Sequence, residues 1–304
     1  MKTFIIFALL IAGTFSRFHD SKSPLITKEF VDEHKEKSSF ETYNFEDHPF
    51  KGFTRKELKS LLGLKIVPTN KTIPTGDLRA LPTDFDSRAQ WKDCVFEVKN
   101  QGKCGSCWAF AASEVLSDRL CIASEGKVKA NLSPQDLVSC DYLDMGCNGG
   151  IPMMSWITLR FKGITTESCM PYTSGTGSVA SCPWFSSKCA DGGAWNKFYA
   201  KNFYMFGSIQ EIKESIYAKG PVESGFQVYA DFMNYKSGIY VKQSDDLLGG
   251  HAVKAVGWGN ENGVDYWIVQ NSWGPAWGES GFFRIKMGEC GFESQIIAGD
   301  AYIK

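Results

Sequence analysis

All ten cysteines of this 304-residue chain fall between Cys94 and Cys290, and the first 93 residues hold none. Residues 1–16, MKTFIIFALLIAGTFS, carry Lys2, an apolar run from Phe4 to Ala12, and then small and polar residues. That run is too short to span a bilayer and has the layout of a cleaved secretory signal peptide. No later stretch reaches about 18 uninterrupted apolar residues, so the sequence predicts a soluble product with no membrane span. Ten cysteines on a chain bound for an oxidising compartment predict structural disulfides. The cross-linked body, rich in Trp and Gly, then begins near residue 81. The formal net charge is -1, with neither a basic stripe nor an acidic tail, which speaks against nucleic-acid and anionic-membrane partners.

What precedes the body differs in character. Residues 17–80 are rich in Lys, Glu and Ser and sparse in apolar positions. Within them FTRKELKSLLG (53–63) has Leu58, Leu61 and Leu62 at helical spacing and Gly63 as a stop. VPTNKTIPTGD (67–77) holds three breakers, Pro68, Pro74 and Gly76, and reads as an exposed linker. Asn70-Lys71-Thr72 is an N-glycosylation sequon. The predicted order is signal peptide (1–16), pro-segment (17–80) and main domain (81–304), opening near LPTDFDSR. Inside that domain the pattern is helical between 105 and 165, with Ser133 as an N-cap and Pro134 at the first helical position. SIQEIKESIYAKG (208–220) predicts a helix with a full capping box from Ser208 and Glu211 and a stop at Gly220. Beyond Pro221, VESGFQV, HAVKAVGW, YWIVQNSW and GFFRIK read as short strands. Helices first and strands afterwards predict an α+β fold in two lobes, a helical one over about 105–195 and a β-rich one over about 200–300.

QGKCGSCWAF (101–110) places Cys104 and Cys107 in a C-x-x-C. A redox pair of that spacing normally follows a strand in a βαβ unit, and no such unit precedes residue 104. Zinc needs four ligands, and no second C-x-x-C or H-x-H pair accompanies this one. The remaining reading splits the pair into a structural Cys104 and a nucleophilic Cys107 at a helix N-terminus, where aligned dipoles and free N–H groups favour a thiolate. Such a nucleophile needs an imidazole partner. Of the four histidines, His19, His34 and His48 fall ahead of the main domain, which leaves His251, in GGHAVKAVGW.

CGSCW, GCNGG (146–150), GGHAV (249–253) and NSWG (271–274) together resemble the papain-like cysteine peptidases. LPTDFDSRAQW, SDRLC, DFMNYKSGIY, CGFES and the leader motif FKGFTRKELKSLLG narrow the resemblance to the cathepsin B type, from about residue 40 to the C-terminus. In papain-like enzymes the partner His and Asn follow about 130–150 residues downstream. Here His251 lies 144 residues after Cys107 and Asn271 lies 164 after it. The resemblance implies a papain-like fold, with a helical lobe and an antiparallel, β-barrel-like lobe on either side of an active-site cleft. It implies a cysteine-type endopeptidase, made as a zymogen, working through a thioester. Cys107 would be the thiolate, His251 its imidazolium, and Asn271 the group orienting that ring under cover of Trp273. Gln101 would supply an N–H to the oxyanion. Gly149 and Gly150 would form the cleft wall on which substrate pairs as an added strand. The implied disulfides are Cys94–Cys121, Cys104–Cys147, Cys140–Cys182 and Cys169–Cys189, with Cys107 and Cys290 free.

Two positions depart from the cathepsin B pattern. The stretch 169–189, CMPYTSGTGSVASCPWFSSKC, is short and lacks the paired histidines of the family's occluding loop, which predicts an open cleft and endopeptidase action. Gln295 stands where the family's S2 pocket carries a glutamate, which weakens the case for Arg at P2, with Glu293 close by in sequence. No cofactor or metal is implied. The implied partners are protein and peptide substrates, the chain's own pro-segment, and cystatin-like inhibitors of a monomer in a lysosome-like acidic vesicle or outside the cell. A catalytically inactive papain-like binding protein and a secreted C-x-x-C dithiol oxidoreductase are the rival readings.

Overall fold

A computed structural model of the chain describes residues 23–66, 81–183 and 188–303. The signal-peptide reading, His19 and the linker with its Asn70 sequon lie outside the described residues. The leader forms α1 (Lys28–Lys37), β1 (Glu41–Thr42) and α2 (Arg55–Ser60). α2 is shorter than its leucine spacing suggested. Thr54 and Glu57 close a capping box at one end, and the helix ends before Leu61, which sends the chain onward toward the cleft.

The main domain continues with β2 (Phe85–Asp86), α3 (Ser87–Gln90), α4 (Cys107–Ala123), α5 (Pro134–Cys140) and α6 (Pro152–Phe161). Ser133 caps α5 by accepting the Asp136 N–H, with Pro134 inside the first turn. There follow β3 (Tyr204–Met205), α7 (Ile209–Lys219), β4 (Val222–Tyr229), β5 (Tyr235–Ser237), β6 (Ile239–Tyr240), β7 (Leu247–Glu261), β8 (Val264–Gln270), β9 (Phe282–Lys286) and β10 (Gln295–Ala298). The capping box expected at α7 is only half made. Ser208 Oγ accepts the Glu211 N–H at 3.1 Å, but the Glu211 carboxylate closes on the Gly207 N–H at 2.6 Å. Gly207 permits this, since a Cβ there would come within 3.2 Å of Glu211 Oε2.

The large sheet runs in the order β3-β10-β4-β7-β8-β9-β6, with β2 also paired to β7. The lobe is α+β in class, but the expected barrel does not close. Both edge strands are two residues long, too short for a closing ladder, and β6 joins β9 in parallel. The ends of the main domain also fall outside the expected lobe division, which gives β2 to neither lobe and Ile297 to the β-rich one. β2 is built into the β-rich sheet, while Ile297 and Ala301 sit in the helical core with Trp108, Trp156 and Leu159. The leader, polar as it is, buries Leu25, Val31, Phe40, Phe50, Leu58 and Leu61 in one cluster with Phe232, Tyr235 and Trp277 of the β lobe. β1 extends β5 antiparallel, and Arg55 grips Asp246 with two bonds of 2.8 and 2.5 Å.

α4 runs along the seam between lobes and is buried from Cys107 to Cys121. A helix buried all round needs partners for the polar groups it carries, and here only one Glu114 oxygen, Oε1, lacks a hydrogen bond among its charged side chains. Asp118 Oδ2 accepts from Lys254 Nζ of β7 at 2.7 Å, and its Oδ1 accepts the Phe96 N–H at 3.1 Å. Glu114, one turn earlier, accepts from Gln270 of β8 at 3.1 Å. Arg119 reaches the carbonyls of Pro221 and Gly220 at 2.7 and 3.1 Å. The disulfides are Cys94–Cys121, Cys104–Cys147, Cys140–Cys182 and Cys169–Cys189, and Cys107 and Cys290 are free. Replacing Lys254 with alanine leaves Asp118 as an uncompensated buried charge. It is expected to cost about 3–5 kcal/mol, read as a lowered urea midpoint against the wild-type chain.

Candidate active site

Cys107 is the first residue of α4, and Ser106 before it makes no side-chain cap. The Ser106 carbonyl instead accepts the Ala109 N–H at 2.9 Å, and the N–H groups of Cys107 and Trp108 at this end are left without a side-chain capping oxygen. The loop ahead of Cys107 is pinned by the Cys104–Cys147 bridge and by the Gly105 N–H on the Cys147 carbonyl at 3.0 Å. With Cys104 bonded to Cys147, the C-x-x-C is not a dithiol.

His251 lies in mid-β7, opposite Phe226 of β4. Its Nε2 is 2.7 Å from Asn271 Oδ1, an acceptor that also takes the Ser272 N–H at 2.8 Å. That contact puts the ring proton on Nε2 and leaves Nδ1 buried without a partner. Ala252, the next residue, packs on Cys107. Trp273 stacks over the imidazole with centroids 4.7 Å apart and planes at 29°. It is held in turn by Trp277 and by Phe50 of the leader.

Gln101 is fully buried, and every polar atom of it is used. Its backbone N–H reaches the Ser272 carbonyl at 2.9 Å, and Ser272 Oγ donates to Oε1 at 2.7 Å. That leaves Nε2 to donate to the carbonyls of Cys104 at 2.7 Å and of Leu61 at 2.9 Å. Tyr172 OH bonds the Gln101 carbonyl at 2.9 Å and Ser106 Oγ at 2.8 Å, tying the donor to the helix entry. Ser272 and Tyr172 escaped the sequence reading. The first stands inside NSWG and could have been found there; the second carries no local signal.

The leader occupies this site. The Gly150 N–H donates to the Gly63 carbonyl at 2.8 Å, the Lys65 N–H to Gly150 at 2.9 Å, and the Leu64 N–H to Gly250 at 3.1 Å. Leu64 runs parallel to Gly150 and antiparallel to Gly250. Gly63 passes so close that a Cβ on it would lie 1.8 Å from the Gly105 carbonyl oxygen. Gly149 adopts φ +109°, and a Cβ on Gly150 would strike the Trp108 ring at 2.6 Å. Leu64 packs with Cys107, Ala111 and Ala252.

Covered in this way, the pair is neutral. Burial pushes the Cys107 thiol up to about 11, against the pull of the Ala252, Gly63 and Trp108 N–H groups. Burial also lowers His251 to about 4, against its bond to Asn271. The dipole argument for a thiolate at Cys107 is thus overridden while the leader is in place. Gln295 starts β10 opposite Gly225 of β4 and is buried at the end of an apolar cavity of about 320 Å³ that also touches Pro152, Met154, Met205 and Ile297. Glu293 turns elsewhere, accepting from Trp267 Nε1 at 2.8 Å and the Gly288 N–H at 2.9 Å. Among the described residues no group of three His, Cys, Asp or Glu side chains could hold a metal ion, and no helix is long and apolar enough to cross a membrane.

Residues 81–299 match the family model for papain family cysteine proteases. "Cathepsin B-like CP3" of Giardia intestinalis is 43% identical over 260 residues, covering 82% of this chain and 86% of that protein. The "gut-specific cysteine proteinase" of Caenorhabditis elegans is 42% identical over 251 residues, covering 74% of this chain and 75% of its own. Among solved structures, proCathepsin B S9 from Trypanosoma congolense superposes with a TM-score of 0.81 at 30% identity, covering 92% of this chain and all of that one. The chain therefore belongs to the papain family and is a cathepsin B-like cysteine peptidase.

Proposed function

We propose that the chain is an endopeptidase made as a zymogen, with Cys107 as nucleophile, His251 as its acid–base partner and Asn271 as the group that orients the ring. The observation that carries this reading is the strip of leader backbone from Leu61 to Lys65, bonded to Gln101, Gly150 and Gly250 across Cys107. A peptide already lies where a substrate would, with a carbonyl on the Gln101 amide.

Once the leader is cut away near residues 76–81 and leaves, water returns and the desolvation that keeps thiol and imidazole neutral is relieved. The proton then moves from Cys107 to His251. The thiolate attacks the scissile carbonyl carbon, the C–S bond forms, and the carbonyl electrons move onto oxygen, which the Gln101 Nε2–H stabilises in place of the Leu61 carbonyl. Collapse breaks the C–N bond, and His251 gives its proton to the leaving amine. Water, deprotonated by the same imidazole, then releases the acid and regenerates the thiol. Asn271 keeps Nδ1 aimed at the chemistry, and Trp273 shields the Asn–His bond from solvent.

Endopeptidase action is supported by the histidine-free 169–189 stretch, which Cys140–Cys182 and Cys169–Cys189 tie down. An apolar P2 residue is supported by the contacts of Leu64 and the cavity beside Gln295, with Glu293 engaged by other donors. The four disulfides suit the secretory pathway, and we place the enzyme in a lysosome-like vesicle or outside the cell. An inactive binding protein would not need Cys107, His251, Asn271 and Gln101 all present.

An epoxide probe separates these readings. The full chain is expected to resist labelling at pH 5–8, since its thiol titrates at about 11, whereas the processed enzyme labels rapidly and Cys107→Ala not at all. Labelling that survives Cys107→Ala would sink the proposal. Gln101→Ala is expected to lower kcat by about 10²–10³, measured on the processed enzyme. In a timed digest of a long peptide, internal cuts are expected before any C-terminal dipeptide appears. Gln295→Glu is expected to raise kcat/KM for Arg over Leu at P2, compared on paired fluorogenic substrates.

A further inference from the structure

We propose that Asp144 and Asp141 are a positioning pair that holds the substrate-pairing backbone at 149–151 by sharing one proton, so that substrate binding weakens when that proton is lost; this rests on the peptidase reading above.

The loop from Cys140 to Gly150 carries the cleft wall. Asp144 Oδ1 accepts the Ile151 N–H at 2.8 Å, and Ile151 directly follows Gly150, whose N–H and carbonyl pair with the peptide in the cleft. Gly150 is wedged between Trp108, the neighbour of Cys107, and the Asp144 carboxyl. A Cβ there would sit 2.6 Å from the Trp108 ring and 2.9 Å from Asp144 Cγ. Asp141, 5% exposed, spends its Oδ1 on the Leu143 N–H at 2.8 Å. The other oxygen of each carboxyl is buried without a well-formed hydrogen bond, the Thr158 hydroxyl being the donor nearest in effect to Asp141. These two carboxyls meet each other. Two ionised carboxylates only accept, so they would repel; one proton between them turns both orphan oxygens into a single O–H···O⁻ bond.

The surroundings favour keeping that proton. From α6, Thr158 and Lys162 face Asp141, and the Lys162 ammonium bonds the Cys140 carbonyl with Asp136 and Lys197 nearby. From β4, Glu223 faces Asp144. It is itself buried, bonded to Trp156 Nε1 at 2.7 Å, and held well above the usual carboxyl range by burial. Burial, with the Asp141 charge adding to it, raises Asp144 from 3.8 to about 7. A carboxyl raised on folding supports the loop fully below its ordinary value, and that support is lost as pH climbs through the raised one. Above about pH 7 two negative groups face each other beneath Gly150, and the wall loosens.

The full chain is produced, allowed to process, and assayed on a fluorogenic peptide from pH 5 to 8.5, with kcat and KM resolved. In the wild type KM is expected to climb about tenfold per unit above pH 7, separately from the alkaline limb that His251 gives kcat. Asp144→Asn keeps an acceptor for Ile151 and offers an N–H to Asp141 without titrating. It is expected to hold KM within about twofold across the range, while Asp144→Ala raises KM several-fold at every pH. Asp141→Asn serves the same purpose should the first variant fail to accumulate, and Glu223→Gln is expected to leave the climb in place. A wild-type KM that stays flat, or an unchanged climb in the Asn variants, overturns this inference alone. No thiol-dependent turnover by the wild type at any pH overturns both this and the peptidase reading.

Discussion

The seam between α4 and β7 is the constraint on which the rest of the structure depends. One strand carries His251 toward the start of α4, where Cys107 stands, and three residues later it sends Lys254 to Asp118 on the same helix. Packing alone would let the two lobes slide. A buried ammonium bonded at 2.7 Å to a buried carboxylate admits little displacement, because a separated pair leaves both charges unsolvated. The ion pair adds little net stability by itself, yet it fixes the register of β7, which carries His251, against α4, which starts at Cys107. Arg119, reaching the Gly220 and Pro221 carbonyls from the same helix, pins the seam at a second point.

The leader acts on that seam through solvation. It seats a backbone strip over the thiol, anchors it with apolar side chains sunk in the β lobe, and both the Cys107 thiol and the His251 ring are buried. Desolvation opposes the charged form of each partner, so one covering shifts both toward neutrality. Phe50 against Trp273 and the Leu61 carbonyl on Gln101 mean that the same segment also rests on the cover of the imidazole ring and on the Gln101 amide.

The residues that meet around the cleft were legible in advance because they sit in short contiguous motifs. CGSCW, GCNGG, GGHAV and NSWG name Cys107, Gly149, Gly150, His251, Asn271 and Trp273 without any tertiary information. Tyr172 was not legible, because it meets Gln101 across 71 residues of chain and nothing in CMPY announces it. The half-made cap at α7 and the open sheet were misjudged for related reasons. A carboxylate chooses between neighbouring N–H groups by backbone geometry, and barrel closure depends on edge strands whose length no local pattern sets. Proximity of Glu293 to Gln295 in sequence likewise said nothing of direction, since Glu293 lies in the turn ahead of β10 and accepts from Trp267 and the Gly288 N–H instead.

By itself, the sequence determined the candidate nucleophile and its imidazole, the cysteine-free leader and the broad order of helices before strands, because these follow from residue type and local spacing. Only the tertiary structure decided the protonation of those groups, the use of each Gln101 atom and the meeting of Asp141 with Asp144. Those depend on which distant segments exclude water from a given atom, and solvent exclusion is a property of the assembled volume that no window of sequence contains.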